Sequence, residues 1–569
     1  MDMKTRILTY LQEFVAVPSV SDSPDEKLAV DWLFRSIGAQ EYFQAHPDSF
    51  GRYPLPGDYR AREIVYGMVE AERKTDRTVI LTGHYDVVGI EEYGVLKPLA
   101  FDMAGMTEAI AKEKTDEQTR ADALSGEWLF GRGCADMKGG LCAGLAVLDE
   151  LGREGCPVNV LFMAVPDEES YSAGMRGAAG FLTKLQKQYG LTYEVLLCLE
   201  PGTRDLTGTR QSVYIGSVGK CMPTVLVQGK KAHVGTCFQG LNAVSILARF
   251  FEKTELSPEF ADVYENEVCV PPTWLYLKDQ KQAYDVSLPL RACGYLNMLS
   301  FDTTPQTIME QLKLLGQQAF CEVIGGMRES AEQIAAKSGQ PSLAQSLCAD
   351  IPRPQDCLVL EFSELVKRCE QKDGFAAYYE RQYRELSEKI QTGEWNYPQA
   401  TIELAGRVLD FADLTEPVML FCFSPPFYPA FHSDRLSGKE NAGTEYYERL
   451  KEAAGHELER LHYFTGISDL SYCGSCGDGA PDAYYRNTPL WGDLYQVDFK
   501  AIEGLNIPSI LYGPWGKNIH QRTERVNIKS LTQELPQTLL SFIGRLILCS
   551  PEGSHFPAEN KEDHNAKVD

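Results

Sequence analysis

Thr78-Val79-Ile80-Leu81-Thr82-Gly83-His84-Tyr85-Asp86 is the stretch that decides the architecture. Its first five residues are apolar or β-branched on both alternating faces, which suits a short strand buried on both sides. A histidine and an aspartate follow at once, past the strand's carboxyl end. Working outward, the same design recurs three times. Residues 158–165 are a nearly continuous apolar run into Pro166-Asp167-Glu168-Glu169. Residues 193–199 end at Glu200-Pro201-Gly202, and Ser509-Ile510-Leu511-Tyr512 leads through Gly513-Pro514 to His520. Helices are predicted between the strands, over 139–151, with Leu141, Leu145 and Leu148 on one face, and over 178–189. Buried strands alternating with helices predict an α/β fold with a central, mostly parallel sheet covered by helices on both faces.

The pattern changes near Val213. Strands are expected at 221–228 and 292–301, a helix at 242–252, and a second helix from Thr304-Pro305 to residue 324. Residues 327–414 read as largely helical and charged, as in 375–390. A strand at 418–423 is closed by Pro425-Pro426. The α/β pattern returns after about residue 431, with a helix at 446–463, the strand at 509–512 and a last helix at 531–548. The expected organisation is one α/β domain built from 1–212 and 431–550, interrupted by an α+β domain at 213–430 that carries the helical insertion. Residues 551–569 read as a polar, disordered tail.

The chain has 569 residues, 44% of them hydrophobic, enough for more than one core. Its formal charge of −25 argues against nucleic acid and anionic membranes as partners. No apolar run is long enough to cross a bilayer. The first helix, with Ile7, Leu8, Leu11, Phe14 and Val15, is interrupted by Gln12 and Glu13 and so lacks the apolar centre of a secretory signal. A cytoplasmic location is expected, and with it reduced thiols, many of them buried, for the sixteen cysteines. Cys473 and Cys476 alone have metal or redox spacing, and a lone pair of this kind reads better as a loop with incidental cysteines.

In an open parallel sheet the carboxyl ends of the strands form the ligand crevice. The four strand-end loops can therefore converge with a fifth, Gly131-Arg132-Gly133-Cys134-Ala135-Asp136-Met137-Lys138-Gly139-Gly140. A phosphate loop would need Ser or Thr after the lysine, and Gly139 follows Lys138 here. Singly, each motif is weak: a histidine after a strand is more often a satisfied polar residue, and Asp136 alone would serve as a helix cap. Five in one kind of position point to metal. Asp136, Glu169 and Glu200 would bring −3 into one crevice and repel each other. Two divalent ions supply +4, and one bridging hydroxide balances the site. His84 and His520, one per ion, complete a nitrogen and oxygen set that suits zinc, with manganese or cobalt as alternatives.

These residues resemble the metallopeptidase family of aminoacylase, carboxypeptidase G and succinyl-diaminopimelate desuccinylase. The matching stretches are Val17 to Ser21, Gly83 to Val88, Gly131 to Gly140, Asp167-Glu168-Glu169, Ala232-His233, Ser468-Asp469, and Gly513-Pro514 with His520 and Glu524. Residues 90–133 look most like the RocB-like proteins of arginine utilisation. The resemblance implies that His84, Asp136 and Glu200 hold one ion and Asp136, Glu169 and His520 the other. Asp86 would orient His84. Glu168 would be the general base, taking a proton from a water held between the ions and delivering it to the leaving amine. His233, supplied in many relatives by the partner subunit of a dimer, would stabilise the oxyanion. Relatives acting on free amino-acid carboxylates often carry Asn-x-Arg where this chain has Asn297-Met298-Leu299. The expected activity is metal-dependent hydrolysis of an N-acyl amino acid or small peptide, in arginine or ornithine metabolism. The alternatives are a dipeptidase or carboxypeptidase and, from another class, a binding protein on an inactive peptidase fold.

Overall fold

The computed structural model describes residues 1–205, 207–475 and 481–546. The expected tail at 551–569 and Cys476 lie outside the described residues.

The run predicted at 158–165 forms the strand Asn159–Val165, and its burial explains why it is apolar throughout. Leu161, Met163 and Val165 enter one core, while Val160, Phe162 and Ala164 enter the other. Successive side chains point to opposite faces, and here both faces are covered. The strand belongs to an eight-stranded sheet. Asn159–Val165, Arg77–His84, Thr192–Cys198 and Ser509–Leu511 run parallel in its middle. Antiparallel pairings flank them: Phe50–Pro54 with Glu63–Val69, and Glu63–Val69 with Asn159–Val165. On the far side, Gln211–Tyr214 is antiparallel to Ser509–Leu511 and parallel to Leu458–Leu461. Helices Met3–Val15, Glu26–Gly38, Lys138–Glu154 and Leu535–Arg545 contribute to the core on one face. Helix Ala173–Tyr189 covers the other.

A second sheet has five strands in the order Thr273–Asp279, Arg291–Ser300, Gly219–Gln228, Val418–Tyr428, Leu358–Glu361. The Thr304-Pro305 helix start is borne out, with Thr304 accepting from the Thr307 amide, but the helix continues to Ser338. Three other expectations change. The stretch 327–414 is not simply helical, because Leu358–Glu361 adds an edge strand parallel to Val418–Phe421. Pro425-Pro426 does not end its strand, which reaches Tyr428 across a register shift after Ser424. Residues 446–463 are not one helix: Ala442–Ala453 is helical, Gly455 follows it, and Leu458–Leu461 is recruited as an edge strand. No helix among the described residues is long and apolar enough to cross a membrane, and the fourteen described cysteines are all free.

Candidate metal centre

The middle strands deliver their ends to one place. His84 is the last residue of its strand, fully buried. Glu200 follows Thr192–Cys198, and Glu168 and Glu169 follow Asn159–Val165 after a left-handed Asp167. Asp136 sits in the glycine-rich loop before helix Lys138–Glu154. That helix starts against the Glu200 strand end, where a Cβ on Gly140 would run into the Leu199 carbonyl. Gly513 is pressed on the same segment, so a side chain there would strike the Leu199 and Glu200 carbonyls. The two glycines let the Asp136 loop and the start of the His520 loop close on Glu200.

Asp136 divides its two oxygens between the two histidines. His84 Nε2 lies 3.0 Å from Asp136 Oδ1, and His520 Nε2 lies 3.2 Å from Oδ2. His84 Nε2 is also 3.2 Å from Glu200 Oε1, and His520 Nε2 is 3.0 Å from Glu169 Oε2. Glu168 Oε2 is farther from His84, at 3.9 Å. The donor spacing suits metal: ligand atoms roughly 2.0 Å from a tetrahedral ion stand roughly 3.3 Å apart. Two triads among the described residues, His84–Glu168–Glu200 and His84–Asp136–Glu169, bring their ligand atoms within 4.8 Å of one another. Glu168 therefore comes within ligand reach as well, but Asp136 and Glu200 are nearer the His84 nitrogen.

The electrostatics are those of acids gathered with too few cations. Burial, with the nearby Asp136 charge, pushes Glu169 and Glu200 up to about 7. Burial and the charges of Glu200, Asp469 and Glu169 push Glu168 well above the usual carboxylate range. Asp136 is the exception, held low against its burial by hydrogen bonds from His520 and His84. Those bonds to Asp136 and Glu169 lift His520 to about 10. Protons here occupy positions that a divalent cation satisfies better.

Asp86 is fully buried between the parts. Its main-chain carbonyl is 2.9 Å from His84 Nδ1, nearer than its carboxylate at 3.6 Å. The carboxylate accepts from the amides of Glu168 and Glu169 and from the Ser21 hydroxyl. Asp86 thus fixes the histidine with its backbone and the Glu168-Glu169 turn with its side chain. Glu524 accepts from the amides of Ala135 and Asp136 and is paired with Arg132 at 2.6 Å. Sequence reasoning gave Arg132 no role, although it is 1% exposed. It also missed Arg62, which pairs with Asp167 beside the catalytic-type turn. Asp469, also without a role, is buried and accepts from the Ser172 hydroxyl, and its second oxygen has no hydrogen-bond partner among the described residues. His233 is not brought to the cluster. It is exposed, and its ring accepts from the Gly235 amide.

Residues 80–344 match the model of peptidase family M20/M25/M40. The uncharacterized protein YqjN of Bacillus subtilis is 31% identical, over 97% of this chain and 98% of its own length. The chain belongs to the M20/M25/M40 peptidase family. Protein RocB of B. subtilis is 28% identical over 92% of both chains, in keeping with the RocB-like features of residues 90–133. The aminopeptidase PepT of Bacillus cereus shares the fold, with a TM-score of 0.50, 13% identity and coverage of 96% of this chain and 100% of its own. As an M20/M25/M40 peptidase the chain is a metal-dependent hydrolase of amide and peptide bonds, and the reading of an inactive binding protein falls behind.

Proposed function

We propose that the chain is a dinuclear amide hydrolase acting on an N-acyl amino acid or small peptide, with a cytoplasmic place in arginine or ornithine metabolism. The observation that carries the two-ion reading is the division of Asp136 between His84 and His520. His84, Asp136 and Glu200 would hold one ion, and Asp136, Glu169 and His520 the second. Zinc suits the donor set best, with manganese or cobalt as alternatives. Ions bound there would supply Lewis-acid polarisation of a scissile carbonyl and a lowered pKa for an attacking water. Glu168 takes the proton of that water and passes it to the leaving amine. Its nearly buried carboxyl, with a raised proton affinity, is suited to hold the proton between the two steps.

His233 supplies the oxyanion donor from a second copy. Its exposed loop leaves it outside its own chain's cluster. The strand Thr273–Asp279, at the edge of the five-stranded sheet, presents Leu275 and Leu277 to solvent at 55% and 43% exposure. An apolar open edge of this kind is suited to pairing with another chain. In this reading residues 213–430 form the lid and dimerisation domain on a catalytic domain of 1–212 and 431–550.

The acyl or amino-acid part of the substrate occupies a cavity of about 580 Å³ beside Tyr428, whose hydroxyl donates to the Glu168 carbonyl at 3.3 Å. Leu299 stands at the arginine position of Asn-x-Arg, and its cross-strand partner is Lys220, which lines that cavity. Directly paired residues share a sheet face, so a cation for a substrate carboxylate remains, one strand over. A screen of N-acyl amino acids and dipeptides with metal-loaded protein tests the reading. Turnover of N-acyl amino acids supports the deacylase. Turnover of dipeptides alone would replace it by a dipeptidase, and no turnover of either class would overturn it.

A further inference from the structure

Residues 90–126 have no part in the chemistry above, yet they hold its least anchored ligand. Helices Met103–Lys112 and Glu117–Ser125 share a small core with the strand Trp128–Phe130, through Met106, Ile110 and Ala123 against Trp128 and Phe130. That strand pairs with Arg525–Asn527, which pairs with Gly516–Lys517. His520 stands in the turn between these last two strands. Its side chain is 51% exposed, and the backbone is left-handed at both Asn518 and His520. Among the described residues its Nε2 is paired with Asp136 and Glu169, the residues with which it would share an ion.

Acids from 90–126 take hold of the turn on both sides. Asp122 Oδ2 accepts from Lys517 Nζ at 2.9 Å and from Arg525 Nε at 2.8 Å. Glu113 Oε1 accepts from Arg522 Nη1 at 2.8 Å. Glu92 pairs with Arg132, whose other nitrogen holds Glu524. Lys517, Arg522, Glu524 and Arg525 all lie within five residues of His520. The Lys517 ammonium also sits 4.3 Å and 4.9 Å from the Trp128 and Trp515 ring centres. Asp122 and Arg525 are 5% and 2% exposed, so this pair is little screened by salt and has one geometry. Solvated surface pairs would be worth little as anchors. A buried carboxylate joining both strands of the hairpin fixes the span that carries the ligand.

We propose that residues 90–126 are a brace for the His520 turn, with Asp122 as the positioning residue on which affinity for the second ion depends. The inference rests on His520 being a ligand of that ion. A metal site tolerates little displacement of a ligand, and loss of an outer partner typically costs about 10–100-fold in affinity. His84 and Glu200 lie outside this hairpin, and Asp136 is tied to it through Glu524, whose own ion pair is with Arg132 and not with Asp122.

Zinc titration of metal-free, full-length protein tests the brace. Wild type is expected to bind two ions. Asp122→Asn, of the same size, is expected to keep the first with unchanged affinity and to bind the second about 10–100-fold more weakly, with Asp122→Glu recovering part of the loss. A general loss of structure would weaken both ions together, so the ratio of the two affinities is the readout. If Asp122→Asn does not give a cooperative thermal transition, Glu113→Gln, on the more exposed pair, replaces it, with a smaller loss in the same direction. A folded variant with both affinities at wild-type values, or with both reduced equally, overturns the brace alone. A wild type that binds a single ion overturns the dinuclear reading and the brace with it.

Discussion

Exchanging Glu168 and Glu169 for glutamine, one at a time, separates proton transfer from metal binding in adjacent residues. The Glu168 carboxyl is 3.9 Å from His84 Nε2, outside the 3.0–3.2 Å contacts that define the candidate ligand set. Its turn is held through the main-chain amide on Asp86, which glutamine leaves in place. Glu168→Gln therefore keeps the −3 of Asp136, Glu169 and Glu200 and both ions. It removes the proton acceptor, and turnover falls by about two to four orders of magnitude, or about 3 to 5 kcal/mol of barrier. Glu169→Gln instead lowers the ligand charge from −3 to −2 and takes a charged partner, at 3.0 Å, from His520. The second ion weakens by at least about tenfold, the lower end of what outer partners already cost. The assay is turnover at saturating metal beside zinc stoichiometry after dialysis. Glu168→Gln protein that loses an ion while Glu169→Gln protein keeps two would refute the assignment and place Glu168 among the ligands.

Three further outcomes follow from the same geometry. His233→Ala is expected to lose about two to three orders of magnitude in rate with its metals retained, and mixing it with Glu168→Gln protein should restore activity in mixed dimers; full activity of His233→Ala alone refutes the role. Lys220→Ala should raise KM for substrates with a free carboxylate and leave their amidated counterparts little changed, and equal effects on both would remove Lys220 from recognition. Burial lifts Glu169 and Glu200 from 4.5 to about 7, so between these values the metal-free fold holds protons that the unfolded chain has released, and its stability falls as pH rises through that window. Zinc replaces those protons, so the gain in Tm on adding it should be larger at about pH 7.5 than at about pH 5; a gain independent of pH contradicts this.

The candidate ligands His84, Glu169, Glu200 and His520 were legible because each stands at or beyond the end of a strand that is apolar for its own reasons, and Asp136 because of its glycine-rich loop. Asn159–Val165 sends alternate side chains into two cores, and that demand writes a continuous apolar run. The chemistry then stands at the run's end. Elements that exist only through pairing left no such mark. Leu358–Glu361 is four residues joined to Val418–Phe421, and Leu458–Leu461 follows so closely on the helix ending at Ala453 that it reads as the helix's continuation. The strand through Pro425-Pro426 survives two missing amide hydrogens because its ladder skips from Ser424 to Tyr428. The supports of the site were the least visible part. Arg132 and Glu524 are 392 residues apart, and Asp122 meets Lys517 and Arg525 from a polar helix that reads as surface. Ion pairs of that range have no period and no local motif.

The proposed function turns on whether Asp136 is shared by two ions, one held with His84 and Glu200 and the other with Glu169 and His520. Anomalous diffraction from crystals of the zinc-loaded protein, recorded on both sides of the zinc edge, tests it directly. Two peaks about 3.5–4 Å apart are expected, with Asp136 between them, His84 on one and His520 on the other, and Glu168 on neither. A single peak, or a second one bound by Glu168 with His520 turned to solvent, would contradict it.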